Sequence, residues 1–227
     1  MIQINETKNK SIMIRKTLYR IRAPKRKGKN NAVLATILFL LIGIILGLFA
    51  KWLDNLALDD TIWWQRIAET LDLGNFFSEI AVWLLAALLI AVFSRSMFRA
   101  AWNVFAFFSG MCAAYHIYTI LFSGFNPASY MLIWYGITLL SPILAVICWY
   151  ARGSGSVPIL LDSVIFAVLL LACFGMGFFY ITFKGILYCL VFVSAGVALY
   201  KSPKQLLISL PIGVVLAFLL SPVWPFR

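Results

Sequence analysis

The chain has 227 residues, of which 63% are hydrophobic and 12% charged, and its mean hydropathy is +0.95. A soluble domain is roughly half apolar and about a quarter charged, so this composition excludes an ordinary soluble fold. The formal net charge of +11 comes from 19 Lys and Arg against 8 Asp and Glu. Such an excess indicates either a nucleic-acid partner or a membrane-orientation signal, and the positions of the cations decide between them.

Seven stretches of the chain approach the length of a membrane-spanning helix, which is about 20 mostly apolar residues. They predict an all-α fold, a polytopic transmembrane bundle of about seven helices. The sixth stretch has only 16 residues, so six helices are the alternative. The first is too long for the apolar part of a cleaved signal peptide and is predicted to be an uncleaved anchor. The stretches are 32–50, 76–93, 101–122, 130–150, 158–179, 185–200 and 205–223.

The cations are distributed unequally between the two sides of this predicted bundle. If seven helices alternate in direction, fifteen Lys and Arg lie on the side of the amino terminus and four on the other side. Because positively charged loops stay in the cytoplasm, this predicts a cytoplasmic amino terminus. The chain then divides into a basic cytoplasmic arm, residues 1–31, and a transmembrane domain, residues 32–227.

The basic arm holds ten of the cations. A cluster of this kind next to a membrane helix indicates contact with anionic lipid, although a disordered topology determinant is the simpler interpretation. Nucleic acid is not expected as a partner, because no recognition fold is present. The residues predicted to contact anionic lipid are Arg15, Lys16, Arg20, Arg22, Lys25, Arg26, Lys27 and Lys29.

One long connection, residues 51–75, is predicted on the outer side. Residues 61–73 would form a short helix with Trp63, Ile67 and Leu71 along one edge, and Gly74 would end it. Tryptophan suits the membrane interface, so a helix lying flat at the surface is the expected structure. A lid or ligand-recognition loop is the alternative.

Three ionisable residues, Glu79, His116 and Asp162, lie within predicted spans, where they mark candidate functional sites. The second and third spans should form an antiparallel hairpin that places Glu79 and His116 at the same depth. We therefore hypothesise that these two pair, either as a pH-sensitive proton or cation site or as a structural hydrogen bond, and the alternative is that Glu79 reaches water at the membrane interface. Asp162 is either a proton or substrate site or a residue favoured near the positive end of its helix.

A stripe of small polar residues surrounds His116 on one face of the third span: Ser109, Cys112, Thr119 and Ser123. Such a stripe favours close helix packing, and a hydrated pathway is the alternative. In the fourth span, Pro142 with Gly136 and Ser141 predicts a kink or a break, a feature of the binding sites of many transporters. Gly43 and Gly47 form a GxxxG packing motif in the first span.

No motif for catalysis, for a metal or for a cofactor is recognisable, so we expect neither an enzyme nor a bound cofactor. The four cysteines lie in four different spans without a CxxC pair, a distribution typical of buried thiols. The single histidine excludes a metal site built on two histidines.

Several short stretches carry a resemblance to known sequences: Lys51-Trp52-Leu53-Asp54, Leu73-Gly74-Asn75-Phe76, residues 103–112, Trp134-Tyr135-Gly136 and residues 141–150. With these stretches the chain resembles a functionally uncharacterised family of small bacterial multi-pass membrane proteins. The resemblance implies a location in the bacterial cytoplasmic membrane and no activity.

Two classes of function remain after these exclusions. The predicted bundle with buried ionisable groups favours a permease-like protein or the membrane component of a transport system. The alternative is a sensor, immunity or accessory protein that acts through a protein partner or a second copy of itself. The lipid bilayer is the one partner common to both.

Overall fold

The computed structural model describes residues 13, 16–25, 32–56, 61–177 and 180–225. Five helices in these ranges are long and apolar enough to cross a membrane: Ala32–Asp54, Met97–Phe122, Ala128–Ala151, Ser156–Cys173 and Pro203–Val223. The elements in chain order are α1 (Ala32–Asp54), α2 (Trp63–Thr70), α3 (Leu73–Ser78), α4 (Ile80–Phe93), α5 (Met97–Phe122), α6 (Ala128–Ala151), α7 (Ser156–Cys173), β1 (Phe174–Gly177), β2 (Tyr180–Phe183), α8 (Ile186–Leu199) and α9 (Pro203–Leu220), which a 3-10 turn (Ser221–Val223) continues.

The prediction of a helical, membrane-type bundle is confirmed in this coarse form. Helices α1 and α5 pack so closely that their backbones touch. A Cβ atom on Gly43 would lie 2.1 Å from the carbonyl oxygen of Phe107, and one on Gly47 would lie 2.4 Å from that of Met111. From the other side, Gly110 of α5 approaches the Leu40 carbonyl equally closely. The GxxxG motif therefore serves helix packing, because only glycine permits this separation.

The second predicted span is two helices rather than one. Glu79 is extended, with φ −85° and ψ 159°, and separates α3 from α4. The indole nitrogen of Trp83 donates to the Phe77 carbonyl at 2.9 Å, so one carbonyl left over at the break gains a partner. Helix α4 alone has 14 residues, and α3 with α4 covers 73–93.

A two-stranded antiparallel hairpin replaces the end of the fifth predicted span, so the helix ends at Cys173 and not at residue 179. Gly175 pairs with Thr182, and a Cβ at Gly175 would lie 2.1 Å from the Thr182 hydroxyl oxygen. Glycine weakens a helix, whereas aromatic and β-branched residues such as those of β2 favour a strand. The fold is therefore helical with one small β-ribbon, and the following helix α8 also has only 14 residues.

The connection predicted on the outer side contains a short helix, as expected, but the helix ends earlier than predicted. Helix α2 stops at Thr70, and Asp72 adopts the left-handed conformation with φ 50°. Both carboxylate oxygens of Asp72 accept from the Asn75 amide at 3.0 Å, which stabilises the turn. Gly74, predicted to end the helix, lies inside α3. Trp63 points outward with 73% of its surface exposed.

Contacts between loops define the two ends of the bundle. At one end, called here the amino-terminal end, the Lys25 amide donates to the Arg95 carbonyl at 2.9 Å and the Ser154 amide to the Ile21 carbonyl at 3.0 Å. Lys201 donates to the Gly153 carbonyl at 2.8 Å at the same end. The opposite end holds the Asn55–Ser123 hydrogen bond of 2.8 Å, so the links between helices lie in two separate groups.

Candidate functional site

A cavity of about 640 Å³ opens at the amino-terminal end between α1, α4 and the start of α5. Its apolar wall includes Phe39 from α1 and Leu89 and Phe93 from α4. Its polar rim carries Lys25, Arg95 and Arg99, and none of the described residues that line it is acidic. The cavity thus combines an apolar wall with a positively charged rim.

Arg99 is fixed at this rim by neutral oxygen atoms. Its guanidinium donates to the Thr36 hydroxyl at 2.8 Å, to the Asn103 side-chain oxygen at 3.0 Å and to the Ala32 carbonyl. Asn103 is itself buried and donates to the Ser94 hydroxyl at 3.3 Å. Because all these acceptors are neutral, they orient the guanidinium without cancelling its charge.

The start of α5 adds to the positive field of the rim. The Ser96 hydroxyl caps the helix by accepting from the Arg99 amide at 3.3 Å. The free amides of a helix amino terminus attract anions, and a cation in the first turn is electrostatically unfavourable on its own. Arg95 and Arg99 therefore lie near the positive end of the helix dipole, which has the same sign as their own charges. An anionic ligand bound there would relieve this repulsion.

The basic arm reaches this cavity because Arg22 anchors it. The Arg22 guanidinium lies 4.4 Å from the Trp149 ring centroid and donates to the carbonyls of Val92, at 2.7 Å, and Trp149. These carbonyls belong to the last turns of α4 and α6, where cations are favoured. Burial, and secondarily the nearby charge of Arg152, lowers the pKa of Arg22 to about 10. Residues 22–25 are thereby held against the bundle.

The Arg22 side chain is thus engaged by the ends of two helices, and contact of the arm with anionic lipid stays a prediction. Lys25 lines the cavity, whereas Lys16 and Arg20 are exposed. The other four predicted lipid contacts, Arg15, Arg26, Lys27 and Lys29, lie outside the described residues.

The predicted pair of Glu79 and His116 is wrong. Glu79 forms an ion pair of 2.6 Å with Lys184, in the link between β2 and α8. His116 lies 2.5 Å from the Tyr135 hydroxyl and 2.8 Å from the Asn126 side-chain oxygen. The prediction that the two residues lie at the same depth assumed a continuous second helix. The extended backbone at Glu79 shows that this helix is interrupted.

The polar stripe of α5 serves its contacts with neighbouring helices. The Cys112 sulfur lies 3.3 Å from the Thr138 hydroxyl of α6, and Ser123 accepts from Asn55 at the end of α1. Thr119 is buried but donates to the Tyr115 carbonyl of its own helix at 2.8 Å, and Ser109 is half-buried. These contacts support the packing interpretation of the stripe.

Helix α6 is continuous through Gly136, Ser141 and Pro142, so the predicted break does not occur there, while the kink stays a prediction. Pro142 cannot donate to the carbonyl of Thr138, four residues earlier. The Ser141 hydroxyl donates to that carbonyl instead, at 2.8 Å. The Thr138 hydroxyl donates in turn to the Trp134 carbonyl at 2.8 Å. The Ser141 hydroxyl thus supplies the donor that Pro142 lacks.

Asp162 lies apart from both Glu79 and His116. It is buried between α7 and α9, with 2% of its surface exposed, and accepts a hydrogen bond from the Gln205 amide. The three ionisable residues singled out from the sequence therefore occupy three separate environments. Among the described residues, no group of three or more His, Cys, Asp or Glu is arranged to hold a metal ion.

Sequence reasoning treated Arg95 and Arg99 only as orientation signals and missed the cavity they border. The available signal was a pair of arginines before and within the first turn of a helix, followed by Asn103 one turn later. That pattern identifies cations at the positive end of a helix dipole, where they are unfavourable, but the apolar wall from α1 and α4 depends on tertiary packing.

No family model, curated protein or solved structure matches the chain, so its function is argued from the geometry of the cavity.

Proposed function

We propose that the protein is a multi-pass protein of the bacterial cytoplasmic membrane that binds an anionic amphiphile in the cavity at its amino-terminal end. The observation that carries the proposal is the joining of an apolar wall and a rim of Lys25, Arg95 and Arg99 in one space of about 640 Å³. Ligand sites of a few hundred to about 1,000 Å³ are typical of small molecules.

The ligand class follows from the two surfaces of the cavity. An arginine guanidinium suits phosphate because its donors match two phosphate oxygens at once. Phe39, Leu89 and Phe93 offer a hydrocarbon chain the surroundings it has in a bilayer. A phosphate-headed lipid satisfies both surfaces, with the headgroup at Arg95 and Arg99 and one acyl chain along α1 and α4.

The proposed orientation places this site in the inner leaflet. We propose seven crossings, with α3–α4 as the second and α8, lengthened by the β-ribbon, as the sixth. The fifteen-to-four distribution of Lys and Arg supports a cytoplasmic amino terminus. The cytoplasmic leaflet carries the anionic lipids, and its negative surface potential attracts basic segments such as the arm.

We propose a transport role as the consequence of this binding, in line with the permease-like function favoured by the sequence. A cavity that opens at one end of the bundle is a loading site for an amphiphile taken from one leaflet. The bundle would then act as the membrane component of a transport system, with the bilayer and a protein partner as its surroundings. Lipid flux in reconstituted vesicles tests this role separately from binding, and binding without flux supports the accessory function.

Binding is tested with phosphatidic acid and phosphatidylcholine titrated onto the detergent-purified protein. We expect phosphatidic acid to bind more tightly, and Arg95→Gln and Arg99→Gln each to weaken it roughly tenfold or more, as expected for a lost charge-assisted hydrogen bond. Lys204→Gln, an exposed cation at the same end, is the control and should bind as the wild type does. Equal binding of both lipids, or unchanged affinity in both arginine variants, contradicts the proposal.

A further inference from the structure

A second polar site lies away from the cavity, between α7 and α9. Asp162 of α7 faces Gln205 and Ser209, which are one turn apart on α9. All three side chains are buried, with 2%, 8% and 0% of their surfaces exposed. Phe166, Leu199 and Leu206 line the same space, so this polar group is enclosed by apolar side chains.

Two oxygen atoms in this site have no hydrogen-bond partner. The Gln205 amide donates to Oδ2 of Asp162, but Oδ1 of Asp162 and Oγ of Ser209 are both buried and unpartnered. Buried polar atoms are almost always hydrogen-bonded, and each exception requires an explanation. The space around them does not accommodate a water molecule, so water does not supply the missing bonds.

An ionised carboxylate at this position would lack an ionic partner. Lys201 borders the same space, but its ammonium group donates to the Gly153 carbonyl at 2.8 Å and to the Ser154 hydroxyl. Neither of the two ion pairs between described residues includes Asp162. A buried charge without a partner costs several kcal/mol, so one neutral donor does not compensate an anion here.

The remaining ionisable groups near Asp162 are few. Cys148 of α6 is within electrostatic range, and Tyr200 lines the site from the link before α9. Lys204 is exposed in the first turn of α9, and α4 has no ionisable residue. Tyr188 and Cys189 begin α8 at its other end. Lys201 is thus the one cation bordering the site within the described part of the chain.

We propose that Asp162 forms a proton-binding site inside the membrane domain, in which the buried carboxyl group is protonated at Oδ1. One proton from solvent removes the buried charge that no ionic partner compensates. Gln205 positions the carboxyl group by holding the other oxygen. The site is independent of the anion cavity, because it uses α7 and α9 rather than α1, α4 and α5.

Infrared spectroscopy of the full-length protein at neutral pH tests the site. We expect a carbonyl stretching band of a protonated carboxylic acid, lost in Asp162→Asn and retained in Glu79→Gln, because Glu79 is paired with Lys184. Asn preserves the shape and neutrality of the protonated acid. No such band in the wild type, or a band that persists in Asp162→Asn, overturns the proposal.

Gln205→Leu tests the positioning hydrogen bond while leaving Asp162 in place. The variant should keep the acid band but move it to higher frequency, because the amide that donates to Oδ2 is gone. Ser209→Ala is the control: it removes a buried hydroxyl of the same site that bonds neither carboxyl oxygen, and it should leave the band where it is in the wild type. An unchanged band in Gln205→Leu shows that the amide does not hold the carboxyl group and overturns the positioning role.

Discussion

Arg22 lies against Trp149, with its guanidinium 4.4 Å from the ring centroid, and links the basic arm to the membrane domain. The same guanidinium donates to main-chain carbonyls at the ends of α4 and α6. One side chain therefore caps two helices and fixes the segment that brings Lys25 to the cavity. The arm contributes to the fold as well as to orientation.

Arg22→Ala should release the arm, because the carbonyls of Val92 and Trp149 lose their charged donor. A hydrogen bond to a charged group contributes about 1.5–3 kcal/mol, so we expect a loss of stability of roughly that size. Limited trypsin digestion in detergent should cut residues 16–25 faster than in the wild type. Arg20→Ala, which removes an exposed cation of the same arm, should leave the stability unchanged. Equal protection in Arg22→Ala contradicts the anchoring role.

The close contact of α1 with α5 predicts a strong dependence on glycine. Gly43→Ala and Gly47→Ala should each lower the free energy of unfolding by about 1–3 kcal/mol, since the added methyl group meets a carbonyl oxygen. Gly136→Ala in α6 is the control: nothing lies within 4 Å of its added Cβ, and alanine favours a helix. Thermal unfolding in a fixed detergent measures all three, and tolerance of alanine at Gly43 would show that the helices are further apart.

Continuity of α6 at Pro142 predicts an interaction between neighbouring residues. Ser141→Ala should cost about 1 kcal/mol, because it leaves the Thr138 carbonyl without a donor. In a Pro142→Ala background the restored main-chain amide supplies that donor, so Ser141→Ala should then cost much less. A double-mutant cycle measures the difference. Strictly additive losses would mean that Ser141 does not replace the missing bond.

The ion pair between Glu79 and Lys184 predicts which residue is coupled to Glu79. A cycle with Glu79→Gln and Lys184→Met should give a coupling of about 0.2–1 kcal/mol, in the range of partly exposed pairs. The parallel cycle with His116→Ala should be additive, because His116 bonds Tyr135 and Asn126 instead. Coupling to His116 and none to Lys184 would restore the pairing that the hairpin geometry suggested.

The sequence predicts well what depends on local composition. The start of α1 at Ala32 and the approximate positions of α5, α6 and α9 follow from uninterrupted apolar length. The bend at Glu79 does not, because its extended backbone is supported by Lys184, a partner 105 residues away. Similarly, composition cannot distinguish Arg22 from the nine other cations of the arm, since only the folded ends of α4 and α6 select it.

The candidate site was less predictable than the fold for the same reason. Glu79, His116 and Asp162 were singled out because charge is rare in a span, but each is engaged by a different part of the chain. The cavity instead uses arginines at a helix start, where charge is ordinary. Its binding capacity depends on the neighbouring apolar wall, which no single segment of sequence contains.

Filling the cavity without changing its charge tests the central claim most directly. Ala35→Trp places a bulky ring in the cavity, whereas Val33→Trp, two residues earlier on α1, adds the same ring at an exposed position. Native mass spectrometry counts the phosphatidic acid molecules retained by each protein. We predict that the wild type and Val33→Trp retain the lipid and that Ala35→Trp loses it. Retention by Ala35→Trp equal to that of the wild type would contradict binding in this cavity.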